Sequence, residues 1–282
     1  MTRLAEIEAQ ISGMGDLQNI IAAMRSLSGM RLREAQRAVP GIRQYAEVVA
    51  GGIADTLSMV HGRTDKPEAK PGPTAIILCA SEHGFVGGFN DRVVEAALNA
   101  LGPRDKLFVL GSRGAARATE MNRTPAWFGP MATRPDAVSA VVQRLSEELF
   151  RQIAAREITR VEAIYSSSRQ GTASTVERRP LLPLDVRIRQ TKQKHQAPLH
   201  NMAPAKLLEK LTEEYVFARL TEAAVESISA ENAARLSATQ TAHDNISTML
   251  TALQSNARQS RQSEITTEIL ELAVGAAMVG DQ

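Results

Sequence analysis

From Leu4 onward, apolar residues recur at alternating intervals of three and four: Leu4, Ile7, Ile11 and Met14, then Ile21, Met24 and Leu27, and later Ile42, Tyr45, Val49 and Ile53. A repeat near 3.5 residues lays a narrow apolar stripe along a helix, the seam by which one long helix packs on another. The pattern predicts a helix over residues 1–60 with a kink or short break at Val39-Pro40-Gly41, because proline removes a backbone donor and crowds the preceding turn. At the other end, the stretch from Pro204 to Val279 has no further proline and a single glycine, Gly275. Its stripe runs through Leu236, Thr239, His243, Ile246, Leu250, Leu253 and Ala257, then resumes after a skip at Ile265, Ile269, Leu272 and Ala276. A helix of ~75 residues would be about 110 Å long. Such length signals a coiled coil, and the natural partner is the N-terminal helix.

Between these stretches the pattern changes. Residues 61–73 are polar and rich in proline and glycine, which marks a linker. Short apolar runs follow at Thr74–Ala80, Lys106–Leu110 and Val161–Tyr165, separated by helical patterns at 90–101 and 137–155. Strands alternating with helices predict a parallel sheet covered by helices. The expected fold is α/β with long helices: an antiparallel coiled coil of the terminal helices (1–60 and 204–282), with a Rossmann-like domain (74–195) inserted between them.

Composition fits this reading. Aromatics are only 4% of the 282 residues, while the straight-chain helix formers are plentiful. No run of residues is apolar enough for a membrane span, and the amphipathic start Met1-Thr2-Arg3-Leu4-Ala5-Glu6 is unlike a signal peptide. The chain reads as soluble. The net charge of +2 conceals a basic middle (101–200) and an acidic last stretch (201–282). The basic part lacks interleaved aromatics, so no nucleic-acid partner is expected.

Candidate chemistry is sparse. Gly84-x-x-Gly87-Gly88 after the first strand invites a phosphate-cradle reading, but it lacks both the G-x-G-x-x-G spacing and a Walker lysine. A tight strand-to-helix turn is the simpler reading. The five histidines are scattered, and Cys79 sits inside an apolar strand. No cofactor, metal or catalytic residue is expected. More unusual is the C-terminal tip, where Leu270, Leu272, Ala273, Val274, Ala276, Ala277, Met278 and Val279 are apolar nearly all round. Such a tip calls for an apolar sleeve in another molecule.

Several segments resemble the gamma subunit of F-type ATP synthases. Ala23-Met24-Arg25 and Arg31-Leu32-Arg33-Glu34-Ala35-Gln36 are similar to that family's basic first-helix stretch, and Ser81–Asn90 resembles its Gly-rich loop. Gly111-Ser112-Arg113-Gly114 resembles the turn after its second strand. In the last helix, Glu226–Leu236 with Asp244-Asn245, Arg261–Leu272 and Gly275-Ala276-Ala277 carry the most specific match. The resemblance implies a non-catalytic rotor shaft, whose partners are the alpha and beta subunits, the epsilon subunit and the membrane c-ring. It also implies a peripheral place on the cytoplasmic face of a bacterial inner membrane. By the same resemblance, partner contacts fall on Met24, Arg25, Arg31, Arg33, Arg261, Gln262, Thr266, Glu268, Leu272 and Ala276. The chain departs from the family pattern at Leu17, Asn19 and Ala22, near places where lysines are usual, at Val86 in place of a cysteine, and at Asn201–Pro204 in place of an acidic segment. A free-standing coiled-coil scaffold and a nucleotide-binding α/β enzyme are the alternatives.

Overall fold

The computed structural model describes residues 3–59, 72–168, 174–184 and 199–280; for 274–280 it gives only the course of the helix. Most of the predicted linker, and the part of the predicted α/β domain beyond 184, lie outside the described residues. The elements run α1 (Arg3–Met59), β1 (Thr74–Cys79), α2 (Phe89–Ala100), β2 (Lys106–Leu110), α3 (Ser112–Glu120), β3 (Trp127–Gly129), a single 3-10 turn (Pro135–Ala137), α4 (Val138–Ala154), β4 (Arg160–Ser167), β5 (Thr175–Leu182) and α5 (Pro204–Gly280). The predicted break at Pro40 is absent, and α1 stays helical through it. Proline forfeits one backbone bond there, while Ala35 and Ala46, a turn or more to either side, are fully buried and hold the helix in place.

The chain divides into two compact units, one formed by residues 1–27 with 236–282 and the other by residues 28–235. In the second unit the sheet order is β3-β2-β1-β4-β5. β1 pairs in parallel with β2 and β4, and β2 with β3. The three strands predicted from the sequence pair in parallel, as expected; the additional strand β5 is antiparallel to β4. This edge strand contains Pro180, and a proline is tolerated where one side of the ladder is open.

Alternate residues of a strand face opposite sides, so β1 can feed two cores at once. Ala75, Ile77 and Cys79 pack with Val142, Leu145 and Leu149 of α4 and with Val216, Leu220 and Ala224 of α5. Ile76 and Leu78 pack instead with Phe89, Val93 and Ala97 of α2 and with Ala118 of α3. Both faces are covered, which explains why β1 reads as a continuous apolar run.

The loops at the C-terminal ends of β1, β2 and β3 are tied together by one carboxylate. Glu82 accepts from Ser112 Oγ at 2.6 Å, from Ser112 N at 3.1 Å and from Met131 N at 2.9 Å. Burial alone would push its pKa up, but these donors hold it below the ordinary 4.5. Because its pKa is lowered in the folded state, its contribution is present above that ordinary value and fades as pH falls through the lowered one. Glu82→Gln is therefore expected to cost about 2 kcal/mol at neutral pH. In thermal melts, the gap between the two proteins should shrink steadily as the pH is taken below 4.

Candidate functional site

In the first unit the two terminal helices pair. Along α1 the less exposed positions are Leu4, Ile7, Ile11, Met14, Gln18 and Ile21; along α5 they are Leu236, Thr239, His243, Ile246, Leu250, Leu253 and Ala257. The cross-contacts show opposite directions. Gln18 Nε2 donates to Ser247 Oγ at 2.9 Å, Arg25 Nη1 to Gln240 Oε1 at 2.8 Å, and Arg261 Nη2 to Glu8 Oε1 at 2.6 Å. As the first partner advances the second retreats, so the pair is antiparallel.

Two predicted seam residues point outward. Leu27 is exposed and buried Ser28 is its neighbour; Tyr45 is exposed and donates to Glu214 Oε1 at 2.6 Å, while Ala46 is fully buried. Close approach of helices selects the small residue, whereas a hydrophobicity reading selects the large one.

The stripe on α5 also ends earlier than its sequence period suggests. The groove between the helices is lined by Arg3 and Glu6 of α1 and by Ser260, Ser263 and Glu264 of α5. Beyond it, Ile265, Ile269, Leu270 and Leu272 are exposed, the last at 74%. The described part of α1 begins opposite Glu264, so among the described residues no other helix covers them.

The residues singled out by resemblance lie at different places. Met24 and Arg25 are half-buried in the first unit, whereas Arg31, half-buried, and Arg33, exposed, belong to the second. Arg261, Gln262, Thr266, Glu268 and Leu272 are exposed on α5. Thr266 Oγ1 is turned back onto the Gln262 carbonyl at 2.8 Å, and Arg261 is held by Glu8. The side chain of Ala276, like most of the predicted apolar tip, lies outside the described residues.

The feature that sequence reasoning missed is the middle of α5 in the second unit. Residues 222–232 are buried without interruption, although they include Glu222, Glu226, Ser227, Ser229, Glu231 and Asn232. Glu222 meets three arginines from three elements: Arg43 of α1 at 3.1 Å, Arg179 of β5 at 2.9 Å and Arg219 of α5 at 2.7 Å. Burial opposes its ionisation, yet Arg219 and Arg179 outweigh burial and hold its carboxyl below the ordinary range. Among the described residues Glu226 bonds to Arg43, at 2.6 Å, and burial pushes its pKa up. A sequence signal existed. Glu222/Glu226 and Glu231/Arg235 stand four apart on one helix, inside a run with no exposed face in its pattern.

The same stretch of α5 closes the place where a doubly wound sheet ordinarily takes a ligand, the crevice outside the carboxyl ends of its central strands. Ser227 Oγ donates to the carbonyl of Cys79, the last residue of β1, at 3.0 Å. Arg235, bound to Glu231 at 2.6 Å, donates to the carbonyls of Gly84 and His83 at 3.2 and 3.3 Å. The Gly-rich segment is thus a turn pinned to α5, with Gly87 at φ +54° and Phe85 at φ +60°. Among the described residues no group of histidine, cysteine or carboxylate side chains has the arrangement of a metal site.

Terminal helices that pair antiparallel, an α5 that outruns α1 with an apolar side exposed, and a strand-end crevice filled from within define a long-helix protein carrying an α/β domain. A family model described as ATP synthase matches residues 3–279, and the chain belongs to that family. Curated relatives include the ATP synthase gamma chains of Chlorobaculum tepidum (25% identical, covering 98% of each chain) and of Phenylobacterium zucineum (28% identical, covering 98% of this chain and 99% of that one). Among solved structures, the chain is similar to one from the rotor of the Euglena gracilis mitochondrial ATP synthase, with a TM-score of 0.62 at 12% identity over 93% of this chain and 98% of the other. It is also similar to one from the central stalk and c-ring of the Tetrahymena thermophila mitochondrial ATP synthase, with a TM-score of 0.57 at 16% identity over 79% of this chain and 99% of that one. At these identities the structural likeness speaks for the fold.

Proposed function

We propose that this chain is the gamma-type rotor shaft of an F-type ATP synthase. It couples ion flow through a membrane ring to ATP synthesis or hydrolysis in an alpha/beta hexamer and performs no bond chemistry itself. The observation that carries this reading is the family match over residues 3–279, and the exposed apolar side of α5 beyond Glu264 gives it a physical basis. Residues 1–60 and 204–282 form the shaft, and 74–195 the inserted domain; the epsilon subunit and the c-ring are further partners. The enzyme alternative is disfavoured by the position of Ser227 and Arg235, which fill the crevice a nucleotide would need. No helix among the described residues is long and apolar enough to cross a membrane. As a member of this family, the chain joins the cytoplasmic face of a bacterial inner membrane as a peripheral subunit, through its partners.

A shaft works only if each angle favours different conformers of the hexamer, since only differential affinity shifts populations. Met24, Arg25, Arg31, Arg33, Arg261, Gln262, Thr266, Glu268, Leu272 and Ala276 are the residues assigned to such contacts. The Arg261–Glu8 pair is exposed on both sides, and pairs of this kind contribute about 0–1 kcal/mol. Arg261 can therefore exchange Glu8 for a partner carboxylate at little cost. Arg261→Ala with Gln262→Ala is expected to lower coupled ATPase activity several-fold and to leave the circular dichroism melt of the isolated chain unchanged. Activity equal to the wild type in the assembled complex would remove these two residues from the contact.

Tagged purification from the native cell, with the associated chains identified by mass spectrometry, tests the reading as a whole. Two different nucleotide-binding chains in equal amounts, with this chain at one third of either, are expected. A lone chain or a homo-oligomer, where a control ATP synthase stays intact, would favour the scaffold alternative.

A further inference from the structure

Within the second unit, α1, the end of β4, β5 and α5 enclose a cavity of about 420 Å³ that the proposed shaft contacts do not use. Small-molecule sites run to roughly 300–1,000 Å³, so it is large enough for a ligand. Its walls include Gln36, Pro40 and Arg43 of α1, Glu177 and Arg179 of β5, and Glu226 of α5. Two guanidinium groups are thus set against two carboxylates, and the lining among the described residues carries no net charge.

Pro40 gives this wall an acceptor that a regular helix would not offer. Proline has no N–H, so the carbonyl of Gln36, four residues earlier, loses its bond within α1. A helical carbonyl points along the axis toward the residue four ahead, and both Gln36 and Pro40 line the cavity. The oxygen therefore lies on the wall, and an unpaired backbone group calls for a partner. Arg43, one turn further along the same face, supplies the opposite function. Its Nε and Nη2 are held by Glu222 and Glu226 at 3.1 and 2.6 Å, while Nη1 makes no bond among the described residues. The side chain is 51% exposed, so that edge of the guanidinium is open. Across the cavity, Glu177 accepts the Tyr165 and Ser167 hydroxyls at 3.0 and 2.6 Å and stands 3.6 Å from Arg179, beyond hydrogen-bond length.

We propose that this cavity binds a small zwitterion, a molecule carrying an ammonium and a carboxylate as an amino acid does. The ammonium would donate to the Gln36 carbonyl, with Glu177 and Glu226 for counter-charge, and the carboxylate would accept from the open edge of Arg43. Such a ligand leaves the charge of the walls balanced. A simple anion or a simple cation would instead meet like charge along with the opposite one.

Calorimetric titration of the full-length chain with 4-aminobutyrate, and with butyrate and butylammonium as controls, tests this. The zwitterion is expected to bind saturably, and each control roughly tenfold more weakly or less. Pro40→Ala restores the N–H and with it the bond to the Gln36 carbonyl. It is expected to raise the melting temperature yet weaken binding about three- to tenfold, a combination that a merely structural proline would not give. Arg43→Met, which keeps a long apolar stem, is expected to weaken binding roughly tenfold or more, with circular dichroism establishing that it is folded. Binding of 4-aminobutyrate no tighter than either control, or unchanged in either variant, would overturn the site. The titration uses the isolated chain and the rotor reading is tested by the chains that co-purify, so failure here would leave that reading untouched.

Discussion

Replacing Glu222 by alanine is expected to destabilise the protein by about 3–5 kcal/mol, the range for removing one partner of a buried ion pair. Glu222 is 1% exposed and holds Arg43, Arg179 and Arg219. Without it, Arg43 still has Glu226 and is half in water, but Arg179 and Arg219 stay largely buried with their main counter-charge gone. Removing Arg43 should cost less, about 1–3 kcal/mol, because Glu222 keeps Arg179 and Arg219 while buried Glu226, whose pKa burial already raises, can take up a proton. Chemical denaturation of the two variants measures this asymmetry. A Glu222→Ala protein as stable as the Arg43→Ala protein would show that the cluster contributes little. Acid acts on the same group. Its pKa is lowered on folding, so its contribution is present above the ordinary carboxylate value and is lost as pH falls through the lowered one.

The second large effect is expected in function rather than stability. Ile269 and Leu272, at 60% and 74% exposed, have little folded surface to lose. Ile269→Asp with Leu272→Asp should change the stability of the isolated chain by no more than about 0.5 kcal/mol. In the assembled complex the same carboxylates would have to enter an apolar sleeve, and burying a charge without a partner costs several kcal/mol. Since about 1.4 kcal/mol is a factor of ten, coupled ATPase activity should fall at least tenfold. Normal coupling in this variant would mean that the end of α5 turns in water.

Much of this architecture was legible in the sequence. The seam positions of α5 from Leu236 to Ala257 and the strands at Thr74–Cys79 and Lys106–Leu110 follow directly from periodicity. Failures have physical causes. Ser28 and Ala46 displaced Leu27 and Tyr45 because close helix contact rewards small side chains. β3 is three residues long, too short to show a pattern, and β5 reads as polar because Glu177 and Arg179 face the charged cluster rather than an apolar core. Pro40 was overweighted as a breaker, since tertiary packing absorbs one missing backbone bond. The partner-contact residues came from resemblance alone; nothing in their own periodicity separates Arg261 or Gln262 from an ordinary solvated face. Least visible was the buried run of α5, where acids and serines that look solvent-facing serve as ties to the sheet and to α1.

The most direct test of the rotor reading is to watch the chain turn. Its one native cysteine, Cys79, is fully buried and its thiol is pushed up to about 12 by burial. Ser139→Cys, on the exposed side of α4, would therefore provide the single reactive thiol for a bead, with the hexamer fixed to a surface. Added ATP should drive unidirectional rotation of the bead. A bead that stays still while the same complexes hydrolyse ATP would contradict the assignment of this chain as the shaft.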